Sequence, residues 1–244
     1  MSGHSHAKTI KRAKELTDKK RGQMFSKLAR LISVAAKEGG GDPATNSKLR
    51  LAIEEARVFN LPKENIERAI KRGTGEIAAE KLEEVIFEAY GPGGIAVIIE
   101  GITDNKNRTL GEIKQILTKC KGKLVSSGGI KWLFERKGCI VIDSRFQIKD
   151  LRNKEELELM AIEAGAEDIY WHEDLLDVYA KPEELEKVKK NLEDKGVKIE
   201  SVSLDWVPKE MIEINDNDRK ICQGLFEALD ENDAVQDVYS NLKV

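Results

Sequence analysis

The stretch that decides the fold is residues 139–204, CIVIDSRFQIKDLRNKEELELMAIEAGAEDIYWHEDLLDVYAKPEELEKVKKNLEDKGVKIESVSL. It opens on an apolar, β-rich run, Cys139–Ile142, of the length of a strand. A helix is predicted over about Lys154–Ala164, then strands near Ile169–His172 and Leu175–Ala180. Pro182 suits a first helical turn and opens a second helix, which Gly196 ends after Lys195. A last strand covers Val197–Leu204. The order βαββαβ is that of a ferredoxin-like split unit.

Working outward, the C-terminal flank reads as a strand at Met211–Ile214, a helix over about Asp218–Glu231 and a strand at Val235–Tyr239. On the N-terminal flank, Val85–Tyr90 and Ile95–Ile102 are β-rich runs parted by Gly91-Pro92-Gly93-Gly94, the spacing of a hairpin. The polar loop TDNKNR (103–108) follows, and Thr109 is expected to cap a helix through Cys120. A loop with Gly122, Gly128 and Gly129 leads to a strand around Lys131–Phe134. With the central unit removed, the flanks read as βαβ plus βαβ, so one ferredoxin-like domain is inserted into another.

Ahead of the flanks the period is helical. Phe25, Leu28, Ile32 and Ala35 form one stripe, which Gly39-Gly40-Gly41 stops. Leu49, Ile53, Ala56 and Phe59 form a second, with Asn46 or Ser47 as its cap. Leu61-Pro62 starts a third, with Ile66, Ala69 and Ile70 inside and Arg68, Lys71 and Arg72 beside them. The segment from Gly3 to Gly22 lacks an apolar stripe and is expected to be an arm, or a helix ordered by its ligand. The fold class is α+β: an N-terminal three-helix domain (1–78) followed by two ferredoxin-like α/β domains, one split (79–137 and 206–244) and one inserted into it (138–205).

Charge divides the chain more sharply than composition does. Residues 1–75 hold 17 basic and 8 acidic side chains, a net +9, while the remainder carries −12. Between Lys8 and Arg30 stand nine Lys or Arg and two acids. A basic module on an acidic body points to a polyanionic ligand held at the N-terminal end. No apolar run of about 18 residues is present, and the basic start has no apolar segment behind it, so a membrane span and a secretory signal are not expected. A transit peptide fits less well than a basic arm, because the basic run continues into a patterned helix. The three cysteines, Cys120, Cys139 and Cys222, are far apart and form no CxxC pair. Reduced thiols, mostly buried, in a cytoplasmic protein are expected.

The motifs GHSH (3–6), KRGQMFSKLAR (20–30), GGGDPATNSKLR (39–50), LPKENIERAIKRGTG (61–75), YGPGG (90–94), TDNKNRT (103–109) and AGAED (164–168) occur in the order of one family. On them the chain resembles the YebC/PmpR family, which includes the mitochondrial translational activator of cytochrome c oxidase. The resemblance spans almost the whole chain and implies three domains, a helical one and two α/β ones. It implies regulation of gene expression, either as a DNA-binding transcriptional regulator or as a ribosome-associated factor that eases stalled translation, notably at proline runs. Two places depart from the family pattern: His6, Ala7 and Lys8 stand where an aromatic is usual, and Gly129, Ile130 and Lys131 stand for Gly-Ser-Val.

The candidate nucleic-acid-binding residues are His4, His6, Lys8, Lys11, Arg12, Lys14, Lys19, Lys20, Arg21, Lys27, Arg30 and Arg108. Each phosphate neutralised releases counterions, so about five such contacts give a salt slope of roughly −4. Arg12, Arg21 and Arg30 suit forked contacts to phosphates or stacking on bases. The bland counterpart is a solvated polar face, and for His4 and His6 a free tail. No metal quartet, nucleophile elbow or Ser/His/Asp set is present, and His172 beside Trp171 reads as structural. The expectation is a non-catalytic monomer without cofactor or metal, which binds ribosomal or transfer RNA, or DNA, and takes neither a membrane nor a small-molecule substrate. RNA is favoured because neither a helix-turn-helix nor a dimerisation heptad is evident. A DNA-binding transcriptional regulator is the first rival. A ligand-sensing or protein-interaction module is the second.

Overall fold

The computed structural model describes residues 18–78, 80–147 and 153–243. Three helices come first: α1 Asp18–Gly39, α2 Ser47–Val58 and α3 Lys63–Gly73. The α1 stripe is buried as its spacing demands, with Leu28, Ile32 and Ala35 at most 2% exposed. Asn46 caps α2: its Oδ1 accepts from Leu49 N at 3.0 Å. The same side chain donates through Nδ2 to the Ala35 and Gly40 carbonyls, both at 2.8 Å, and so fastens the end of α1 to the start of α2. One boundary differs from expectation. The helix runs unbroken from Asp18 through Gly22, where the arm was expected to end, since a single exposed glycine costs only about 1 kcal/mol inside a helix of this length.

The first sheet has the order β3-β1-β2-β8, from β1 Glu83–Tyr90, β2 Ala96–Thr103, β3 Lys123–Val125 and β8 Val235–Ser240. β1 and β2 are the expected hairpin, antiparallel from Glu83 opposite Thr103 to Tyr90 opposite Ala96. Alternation puts Val85, Phe87, Ala89, Val97 and Ile99 on one face, in one core with α4 (Lys106–Lys119) and α7 (Asp216–Asp230). Three local expectations are corrected. Lys131–Leu133 is a 3₁₀ turn, and the strand at this edge is β3 instead. Met211–Ile214 makes one isolated bridge, Ile212 to Leu242, and no strand. The cap of α4 is Asn105, whose Oδ1 accepts from Arg108 N at 3.1 Å; Thr109 lies buried inside the helix and bonds Thr103 at 2.8 Å. The flanks therefore read ββαβ and αβ around the insertion.

The second sheet comes from β4 Phe134–Asp143, β5 Asp168–His172, β6 Leu175–Ala180 and β7 Ser201–Pro208, with α5 Lys154–Ala164 and α6 Leu185–Asp194. Its order β5-β6-β4-β7 with βαββαβ connectivity is ferredoxin-like, as residues 139–204 predict. The last strand begins at Ser201, four residues later than expected. Ile140, Ile142, Leu176 and Val178 are fully buried, as are Leu157 and Ala161 of α5 and Leu192 of α6. Contacts divide the chain into two compact units, one ending at Glu135 and resuming at Pro208, the other Arg136–Val207. The three helices and the first sheet belong to the same unit. Cys139 and Cys222 are buried and Cys120 is half-buried, all three free.

Candidate nucleic-acid interface

α1 and α3 cross closely. Ser33 Oγ donates to the Ala69 carbonyl at 2.8 Å, and a Cβ on Gly73 would stand 2.2 Å from the Ser33 carbonyl, so only glycine fits there. Beside the crossing lies a cleft of about 590 Å³ floored by small residues such as Ala29, Ser33 and Ala69. Its walls carry four cations, Arg30 and Lys37 from α1 and Arg68 and Arg72 from α3, against one carboxylate, Glu80. Arg68 and Arg72 are four residues apart and therefore share a helix face. Both are exposed. A concave surface with this charge excess concentrates phosphate.

The α1 cations are held differently. Lys27 is 8% exposed and its Nζ donates to the Asp230 carbonyl at 2.8 Å. Burial lowers its pKa, and the nearby Asp230, Asp237 and Asp233 carboxylates offset only part of that. The Arg30 guanidinium donates to the Asp233 carbonyl and Lys37 Nζ to the Leu82 carbonyl, the latter at 2.9 Å. Lys48 of α2 bridges Glu38 and Glu84, both at 2.7 Å. These side chains are tied into the fold.

Of the residues singled out from the sequence, His4, His6, Lys8, Lys11, Arg12 and Lys14 lie outside the described residues. Lys19 is in the first turn of α1, and Lys20 and Arg21 after it are exposed. Lys27 and Arg30 both make internal ties to the end of α7, with Arg30 also on the cleft wall. Arg108 pairs with Asp104, which lies just before its helix, and with Glu112 within it, the latter at 3.8 Å. Arg68 and Arg72 were legible as basic flanks of an apolar stripe, but their junction with α1 in a cleft needs the crossing at Gly73.

Among the described residues no group of three or more His, Cys, Asp or Glu is placed to hold a metal, and no helix is long and apolar enough to cross a membrane. His172 Nε2 lies 2.8 Å from the buried Asp177 carboxylate, which the Tyr179 hydroxyl also approaches at 3.4 Å. Burial pushes the Tyr179 and Cys139 pKa values up, so Cys139 is a thiol and not the thiolate a nucleophile needs.

A basic three-helix bundle joined to a four-stranded antiparallel sheet of order β3-β1-β2-β8, with a ferredoxin-like sheet inserted between β3 and α7, defines the class of architecture. Comparison with known proteins then places the chain. Residues 5–76 match the model of the TACO1/YebC protein N-terminal domain and residues 82–242 that of the TACO1/YebC second and third domain, and the chain belongs to this family. It is 47% identical over its whole length to a probable transcriptional regulatory protein of Caldanaerobacter subterraneus, covering 99% of that protein. A probable transcriptional regulatory protein of Thermotoga maritima is 48% identical, with 100% of this chain and 94% of that one aligned. The crystal structure of a conserved hypothetical protein from Aquifex aeolicus superposes with a TM-score of 0.86 at 45% identity, over 93% of this chain and 91% of that one.

Proposed function

We propose that the chain is a non-catalytic regulator of gene expression that grips nucleic acid with its N-terminal module and carries the α/β domains as an acidic platform. The observation that carries this reading is the cationic cleft between α1 and α3, at the end of a chain whose first 75 residues hold a net +9. Lys20, Arg21, Arg68 and Arg72 join the basic residues before Asp18 as phosphate contacts. The favoured polymer is RNA on the ribosome, with relief of stalled translation as the outcome, because an irregular cationic cleft suits irregular RNA. The protein acts in the cytoplasm as a monomer in this reading.

A second reading, DNA-binding control of transcription, is favoured by the names of the relatives. Crosslinking in cells followed by sequencing of the bound RNA and DNA separates the two. The first reading expects ribosomal or transfer RNA to dominate, with co-sedimentation on ribosomes weakening as salt rises. Enrichment of promoter DNA replaces it by the second. Absence of salt-sensitive association with ribosomes, RNA or DNA overturns both.

A further inference from the structure

One segment of the acidic body runs against its charge. Between Glu112 and Glu135 the chain holds five lysines and no acid, whereas residues 76–244 together carry −12. This segment passes from α4 through the edge strand β3 to Trp132. Trp132 is 64% exposed, more than any other large apolar side chain among the described residues.

The indole is nevertheless held. Trp132 Nε1 donates to the Gly129 carbonyl at 3.1 Å. The loop carrying Gly129 is fastened by Glu88, a buried carboxylate on β1. It accepts backbone N–H groups from Gly128 at 2.6 Å and from Ile130 and Lys131 at 2.9 Å each. A Cβ on Gly129 would stand 2.9 Å from the Ser126 carbonyl and 3.0 Å from the Val125 side chain, so the loop lies hard on β3.

The strand register places the neighbours. Glu88 lies opposite Val125, and Tyr90 opposite Lys123. Residues two apart on a strand share a face, so Tyr90, 39% exposed, and Lys123 stand one rung beyond the Trp132 loop on the same face. Lys121, two residues before Lys123, has φ +57, a left-handed conformation that glycine adopts freely and lysine does not.

We propose that the face formed by Trp132, Tyr90 and Lys123, with Lys121 in the turn that leads into β3, is a second nucleic-acid contact, specific for single strands. An unpaired base stacks on the Trp132 indole while the two lysines neutralise adjacent phosphates. A duplex offers no free base face to the indole; a single strand offers one at every nucleotide. The proposal rests on the reading of the chain as a nucleic-acid-binding regulator and adds strandedness to it.

The test uses the full chain and three probes: a ten-nucleotide single-stranded RNA, the DNA of the same sequence, and the corresponding DNA duplex. Affinity is read by anisotropy of the labelled probe, and stacking by quenching of tryptophan fluorescence. Trp132→Ala is expected to weaken single-strand binding about ten-fold and to leave duplex binding unchanged. Trp132→Phe, which keeps a stacking ring, is expected to stay within about three-fold of the parent while losing most of the quench. Lys121→Glu with Lys123→Glu should lower the salt slope by about two on single strands alone. Equal losses on RNA and DNA would support a site indifferent to the sugar, and a loss on RNA alone would support an RNA site. Unchanged single-strand binding in Trp132→Ala, with loss in the α3 double variant Arg68→Glu/Arg72→Glu, overturns this proposal and leaves the broader function standing. If the parent chain binds none of the probes, the broader function falls and this proposal with it. Capture of a peptide on β3 with no nucleic-acid effect overturns it in favour of a protein-docking edge.

Discussion

α1 and α3 are neighbouring basic helices that put their cations to opposite uses. Lys27 and Arg30 of α1 reach carbonyls at Asp230 and Asp233, the last residue of α7 and the turn beyond it. The final carbonyls of a helix lack intrahelical partners and gather the negative end of its dipole. α7 has no basic residue in its last turn, so α1 supplies the missing cations from some two hundred positions away. α3 holds Lys71 and Arg72 in its own last turn and keeps Arg68 and Arg72 exposed on the cleft. A count of basic residues treats the two helices alike. The carbonyls each side chain meets separate them.

The comparison is broken most severely at Lys27. Lys27→Ala removes a buried donor and leaves the Asp230 carbonyl without it, so unfolding stability should fall by about 3 kcal/mol, read by urea denaturation. Nucleic-acid affinity measured well below the transition should stay within about two-fold of the parent. The pH dependence has a definite sign. The folded pKa of Lys27 lies below the ordinary 10.5, so the unfolded chain binds the proton more tightly. Stability at this site therefore rises as pH climbs from the lowered folded value toward 10.5, and the gap between parent and variant should widen over that window. Equal stability of the two proteins would show Lys27 to be a surface cation like those of α3.

Arg68→Glu with Arg72→Glu tests the other half. Two charge reversals on the open face should weaken binding to RNA or DNA by about 2 kcal/mol near 0.1 M salt and reduce the salt slope by about two. The melting temperature should move by no more than a few degrees, since exposed substitutions rarely exceed ~0.5 kcal/mol each. A large loss of stability with unchanged affinity would exchange the roles of the two helices.

These contrasts also show what a sequence can and cannot carry. The inserted sheet was legible because Cys139–Ile142 and Leu175–Ala180 are short, nearly continuous apolar runs of strand length, and both of their faces are buried, Ile140, Ile142, Leu176 and Val178 on one side and Cys139, Val141 and Tyr179 on the other. β3 was not, because three edge residues with only half-buried Leu124 and Val125 leave almost no period to read. Met211–Ile214 has the composition of a strand but finds one bridging partner, and composition cannot specify a partner. At the start of α4, Asn105 prevails over Thr109 as cap because its extended backbone, φ −146 and ψ 95, aims the amide at Arg108 N. The basic character of α1 was plain, yet its tie to α7 was invisible, since a run of charge has no period that names what it touches.

Glu88 extends the same comparison to a carboxylate on the first sheet. Burial alone would raise its pKa, but the backbone N–H groups of Gly128, Ile130 and Lys131 and the charge of Lys131 outweigh it and hold the carboxyl below its usual range. A carboxylate depressed in the folded state contributes stability above its unfolded pKa and loses it as pH falls through the folded value. Glu88→Gln should cost about 1.5 kcal/mol at neutral pH, and the difference from the parent should shrink as the solution is acidified below about pH 4. Amide exchange at Gly128, Ile130 and Lys131 should quicken in the variant if these bonds hold the loop.

The smallest effect is expected at Arg108, the one candidate of the body singled out for binding. Its side chain is 56% exposed and its partners Asp104 and Glu112 lie four residues to either side, the spacing of an exposed ion pair on a helix. Such pairs are worth about 0.5 kcal/mol or less. Arg108→Ala should therefore shift stability by no more than that, and by less at 1 M salt, where screening erases exposed pairs. Its effect on RNA or DNA affinity should stay under about three-fold, because Asp104 and Glu112 already neutralise the guanidinium and present two carboxylates to any approaching phosphate. A loss comparable with that of the α3 double variant would mean that the guanidinium leaves both carboxylates when nucleic acid binds, and would extend the interface from the helical bundle to the start of α4.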